Sequence, residues 1–128
     1  MEYWQTLGEY DAETQAFSAF VGTGGSSPWT PPKDGTITAI RFIVNAQAAT
    51  SLTRGVWIRL SCVIWAPNTI SFFVAGNGLK TVPDAFVPVL DFPCSLPVKT
   101  TNPITLEGRC LEATHVTNSV LVQAKIVG

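Results

Sequence analysis

Residues 54–65, RGVWIRLSCVIW, constrain the fold more than any other stretch of this chain. Val56, Ile58, Leu60, Cys62 and Ile64 fall on one side of an extended backbone. Trp57, Arg59, Ser61, Val63 and Trp65 fall on the other. Side chains alternate faces along a strand, so this is a period-two pattern over about ten residues. The first face is wholly apolar and belongs in a core. The second sets two tryptophans around an arginine, a serine and a valine. Such a strand is central in its sheet, and its outer face touches something.

The flanking sequence repeats the pattern. Residues 36–44 alternate, with Ile40, Phe42 and Val44 on one face and Ile37, Ala39, Arg41 and Ile43 on the other. Residues 45–53 are small and polar and read as a loop. Pro67 and Asn68 end the central strand. In residues 69–75, Ile70, Phe72 and Val74 share a face, and Gly76-Asn77-Gly78 then signals a turn. Residues 85–91 read as a strand that Pro88 demotes to an edge or a bulge. Residues 92–103, with Pro93, Pro97 and Pro103, read as irregular. Residues 104–113 and 119–127 read as a terminal hairpin turning near 115–118, with Val120, Val122, Ala124 and Ile126 on one face.

Six strands after residue 35, one or two before it, and prolines at the breaks predict an all-β antiparallel two-sheet β-sandwich. Eight strands suit a jelly roll, and seven suit an immunoglobulin-like Greek key. The immunoglobulin cysteine–tryptophan spacing is not evident, so the expectation is jelly-roll-like. The expected core contains Val56, Ile58, Leu60, Ile64, Ile70, Phe72, Ile104, Leu106, Val120 and Val122.

The first 35 residues read differently. Residues 1–13 hold Tyr3, Trp4, Leu7 and Tyr10 with Glu2, Glu9, Asp11 and Glu13, and they follow neither period. An edge strand and an arm lying on a neighbouring subunit are both open. Residues 14–21 suit a short strand or a helical turn. Residues 22–35 are turn chemistry, with Trp29 as their anchor. The expected division is an N-terminal arm and Gly/Pro-rich linker over 1–35 and a β-sandwich domain over 36–128.

Composition narrows the function. The 128 residues are 46% hydrophobic and only 13% charged, about half the usual charged share. So few charges favour a multimer over a monomer. Net charge is −1, and no Lys/Arg run occurs. Phosphate neutralisation dominates nucleic-acid affinity, so no nucleic acid is expected. No signal peptide and no apolar run long enough to span a bilayer are read, so assembly in the cytoplasm is expected. The three cysteines, Cys62, Cys94 and Cys110, lack C-x-x-C spacing. Cys62 reads as a buried hydrophobe, and a Cys94–Cys110 disulfide is left open.

Catalytic constellations are thin. His115 is the one histidine and sits in an expected turn. Glu107 and Glu112 differ by an odd number, so a regular strand sends them to opposite faces. Asp84 and Asp91 have a proline between them, which leaves their relation open. Glu9, Asp11 and Glu13 share a face if extended but lack a calcium-loop pattern. No catalytic residue, metal ligand or cofactor is expected. Trp57, Arg59 and Trp65 have three roles open to them: a sugar platform, a subunit interface, or cover by another layer of the chain. With Tyr3, Trp4 and Tyr10 of the arm they form the candidate contact set.

The arm over 1–35, the opening DGTITAIRFIV at 34–44 and the closing VLVQAKIV at 120–127 carry a class-level likeness. The chain resembles the small β-sandwich structural proteins of virions: single jelly-roll capsid, cement or spike proteins of bacteriophages and archaeal viruses. Lectin-like and tumour-necrosis-factor-like sandwiches share the outline. The resemblance implies self-assembly in a virion, with other virion proteins as further partners, no catalysis and no cofactor. A carbohydrate- or receptor-binding module is the alternative expectation.

Overall fold

The computed structural model describes residues 2–10, 16–20, 28–46, 55–75, 89–110 and 118–128. These form strands β1 (Glu2–Tyr10), β2 (Ser18–Ala19), β3 (Gly35–Ala46), β4 (Gly55–Ser61), β5 (Thr69–Ala75), β6 (Val89–Val98), β7 (Thr105–Cys110) and β8 (Asn118–Val127). Among the described residues there is no helix. The strands make two four-stranded antiparallel sheets, ordered β1-β8-β3-β6 and β2-β7-β4-β5.

One apolar core joins the two sheets in a β-sandwich-like arrangement. Ile40, Phe42, Val122 and Ile126 of the first sheet cluster with Ile58, Leu60, Leu106 and Val74 of the second. Direct contacts cross between the layers. Phe42 of β3 lies 5.2 Å from Phe72 of β5, ring centre to ring centre. Phe72 in turn lies 5.4 Å from Phe92 of β6. Tilted aromatic packing at this range adds to the area buried.

The alternation of the central strand holds from Val56 to Ser61. Val56, Ile58 and Leu60 are buried, while Trp57, Arg59 and Ser61 face outward and are half-buried. The strand is internal, between β5 and β7. It stops at Ser61, however, and the chain then turns. Of the expected core, Ile104, Leu106, Val120 and Val122 are at 0% exposure. Ile64, Ile70 and Phe72 are packed against the core but only partly buried.

Four expectations need correction. Of the two readings open for the N-terminus, the arm fails and the edge strand holds for residues 2–10: β1 pairs with β8 from Glu2 opposite Val127 to Tyr10 opposite Val120. The register shifts between Thr6 and Gly8, and that bulge explains the lack of a clean period. β3 carries a similar shift between Ile37 and Ala39, so Ile37 turns inward and is fully buried. Residues 92–98 are not irregular but belong to β6, where Pro93 and Pro97 lie on the exposed side. An edge strand tolerates proline, because a donor missing on its open side breaks no ladder bond. Finally, β7 and β8 do not form a hairpin. They lie in different sheets.

The two lateral sides of the molecule differ. On the β1/β2 side Tyr10 packs 5.7 Å from Phe20, and both are buried. The layers approach so closely there that a Cβ on Gly108 would sit 2.6 Å from the Tyr10 ring. A Cβ on Gly8 would sit 2.9 Å from Phe20. On the β5/β6 side, Ile70, Phe72, Leu90, Phe92 and Leu96 remain partly exposed.

Candidate functional site

The outer face of the second sheet is ordered in rows. Strand pairing sets Phe73 of β5, Trp57 of β4 and Arg109 of β7 side by side. The next row is Ser71, Arg59 and Glu107, continuing to Ala19 of β2. The third is Thr69, Ser61 and Thr105. Side chains in such rows touch because cross-strand neighbours on one face are about 5 Å apart.

The first row is aromatic. The Trp57 and Phe73 rings are 5.1 Å apart and tilted by 56°. Phe73 is 38% exposed. The second row is ionic. Arg59 donates from Nε to Glu107 Oε1 at 3.0 Å, and its Nη2 lies 2.8 Å from the same oxygen. Its guanidinium also lies 3.9 Å from the centre of the Phe17 ring, and that of Arg109 lies 5.5 Å from it. An arginine stacked on a ring and held by a carboxylate is pre-oriented and loses little freedom on binding. The third row is hydroxylic, with Ser61 Oγ and Thr69 Oγ1 at 3.0 Å.

Trp57 and Arg59 are therefore brought together on an outer face, as the alternation implies. Trp65 is not with them. It lies beyond the end of β4, is 3% exposed, and donates its indole N–H to the Pro97 carbonyl at 2.8 Å. It is a core residue tying the turn after β4 to β6. Tyr10 is likewise a core residue, at 1% exposure. Tyr3 packs against the core with Lys33 Nζ 5.1 Å from its ring centre.

Of Tyr3, Trp4 and Tyr10, Trp4 alone stands on an outer face, that of the first sheet, and is 36% exposed. The Arg41 guanidinium lies 4.0 Å from its ring centre. Arg41 also holds Asp91 through two bonds, Nε to Oδ1 at 2.8 Å and Nη2 to Oδ2 at 3.1 Å. That fork keeps the Asp91 carboxyl below its ordinary range, chiefly by hydrogen bonding, and raises Arg41 in return. Lys125 pairs with Glu2 at 3.0 Å beside it. Both outer faces thus carry a tryptophan with an arginine and a carboxylate nearby. The pairings of Phe17, Glu107 and Asp91 with their arginines escape sequence reasoning, because each joins segments distant in sequence.

The remaining candidates are not assembled into a site. Cys62 and Cys94 are free thiols, so Cys94 is in no disulfide. Burial pushes the Cys94 thiol up, which keeps it protonated at neutral pH. Cys62 lines a cleft of about 230 Å³ with Ser61, Val63, Asn68, Pro103 and Thr105. Among the described residues no group of three or more His, Cys, Asp or Glu side chains is placed to hold a metal. Among them, too, no helix is long and apolar enough to cross a membrane. His115, Glu112, Asp84, Asp11 and Glu13 lie outside the described residues, as does the side chain of Cys110. No family model, curated protein or solved structure matches the chain.

Proposed function

We propose that this chain is a non-enzymatic structural protein that self-assembles, as a capsid, cement or spike component of a virion put together in the cytoplasm of its host. The observation that carries the reading is the Trp57–Phe73 pair beside the arginines on the outer face of the second sheet. Tryptophan and arginine are the residues most enriched at the energetic centres of protein interfaces. A chain with so few charges has apolar surface that assembly covers.

A jelly roll is the finer fold reading within this proposal. The pairing supports it: β1 with β8, β2 with β7, β3 with β6 and β4 with β5. That is one long antiparallel ribbon folded over, with β8 joining β3 and β7 joining β4 where it rolls up. Capsid and lectin domains are both built on such rolls, so fold alone does not choose between them.

A second reading, a carbohydrate-binding module, draws on the same face. Trp57, Phe73 and Arg109 offer rings and donors in one row. Trp57→Ala separates the two. Light scattering of the full chain is expected to show association weakened at least about tenfold, the loss typical of an interface anchor. Unchanged association together with lost retention on a glycan array overturns the assembly reading in favour of the second.

A further inference from the structure

A sheet edge is a template for another strand, and natural sheets protect their edges. Three of the four edges here carry such protection. β1 has a bulge and two glutamates, Glu2 and Glu9. β2 is two residues long. β6 carries Pro93, Pro97 and Asp91. The fourth is β5, with the sequence TISFFVA: no charge, no proline and no glycine. Its pairing with β4 runs from Gly55 opposite Ala75 to Ser61 opposite Thr69 with no register shift. Among the described residues no strand pairs with its other side.

The side chains along β5 point the same way. Ile70 and Phe72 face inward but are only half-buried, whereas their partners Leu60 and Ile58 are at 0% exposure. The core is thus open along this flank, where Phe72 meets Phe92 of β6. An apolar row beside an unpaired backbone is what an added strand covers.

We infer that a second copy of this chain pairs its β5 antiparallel to this β5, about a two-fold axis at Phe72. The two sheets then run on as one, ordered β2-β7-β4-β5 and back through the partner. The sequence of β5 is complementary to itself in this register. Ile70 falls opposite Val74, Ser71 opposite Phe73, and no like charges oppose each other. The outer rows bearing Trp57 and Phe73 become one surface across both copies. This inference rests on the self-assembly proposed above and names the surface that starts it.

The test is sedimentation velocity on the full chain and two variants, Ser71→Glu on β5 and Ser95→Glu on β6. Ser71 is exposed beside Arg59 on its own sheet, so glutamate there suits the monomer. In the dimer the two new carboxylates flank the axis and repel. The wild type is expected to associate, and Ser71→Glu to raise its dissociation constant at least about tenfold, because each carboxylate lands against Phe73 of the other copy and diagonally across the axis from its twin. Ser95→Glu is expected to stay within about twofold of wild type, as for a surface change away from any contact.

A wild type that is monomeric at every concentration overturns this inference and the self-assembly reading together. Association that Ser71→Glu and Ser95→Glu leave equally intact overturns the β5 seam alone. Loss in Trp57→Ala would then put the contact on the face of the sheet. If Ser71→Glu does not fold, hydrogen exchange of the wild type decides. Amides of residues 69–75 that gain protection with concentration support the seam, and amides that do not overturn it.

Discussion

The β1/β2 flank and the β5/β6 flank bound the same core, yet one is sealed and the other is open. On the sealed flank Leu7, Tyr10 and Phe20 are at 0%, 1% and 3% exposure. Glycines at 8 and 108 let the two layers close on those rings. On the open flank Ile70, Phe72, Leu90, Phe92 and Leu96 all keep some exposure. The difference shows how two sheets of equal strand number become an asymmetric body. Glycines permit close approach on one side, while on the other the Phe42, Phe72 and Phe92 rings meet across the layers with Phe72 and Phe92 only partly buried. Under the proposed self-assembly the flanks would have separate tasks, stability at one and contact at the other.

The two flanks are expected to differ in what they contribute to stability. Tyr10→Ala on the sealed flank is expected to cost about 3–5 kcal/mol, the range for emptying a buried aromatic site. Phe92→Ala on the open flank is expected to cost distinctly less, because water already reaches part of the ring. Urea unfolding of the two variants at low concentration measures both. Equal losses remove the distinction.

Gly108→Ala sharpens it. The new Cβ meets Tyr10 at 2.6 Å, so overpacking of about 1–3 kcal/mol is expected. The cost arises from the ring, so in the Tyr10→Ala background most of it is expected to vanish. Additive losses by thermal unfolding would show that the close approach is not what seals this flank.

Trp65→Phe probes the link between the turn after β4 and β6. Losing the indole bond to Pro97 is expected to cost about 1 kcal/mol, the net value of a typical hydrogen bond. A variant as stable as wild type by urea unfolding would assign the role of Trp65 to packing alone.

The smallest effect is electrostatic. Asp91 on β6 is held low by Arg41, so the folded carboxyl titrates below the unfolded one. Its contribution is whole above about pH 4, the unfolded carboxylate range, and is lost as pH falls through the lower folded value. The pair is exposed to solvent, which screens it. Asp91→Asn is therefore expected to lower the urea midpoint slightly at neutral pH, with the gap to wild type closing in acid. A gap that persists below the folded value would mean the loss is not ionic.

The regular parts of the fold are legible in the sequence. The inward face of β4 and that of β8 alternate without interruption, and Ile58, Leu60, Val120, Val122, Ala124 and Ile126 are all at 0% exposure. Period two fails wherever one residue is inserted. The bulges near Leu7 and Thr38 flip the parity of the residues beyond them; Gly8 hints at the first, and no residue type announces the second. Alternation misplaces Trp65 because the strand ends at Ser61, before the pattern does. The prolines of β6 read as breaks because only the sheet order reveals that their strand lies at an edge.

Long-range pairing is the least legible. Nothing local says that Glu2 pairs near Val127, or that β7 and β8 part into different layers. The candidate site shares this division. Trp57 and Arg59 lie on one strand, and counting alone puts them together. Phe73, Glu107 and Phe17 join them only through the fold.

A chain that works as an assembly built from its own uncharged surface must associate in solution. Sedimentation equilibrium over a wide dilution series tests it most directly. The expected result is a mass above the 13.7 kDa of one chain that falls towards it on dilution. A mass of 13.7 kDa at every concentration would contradict it.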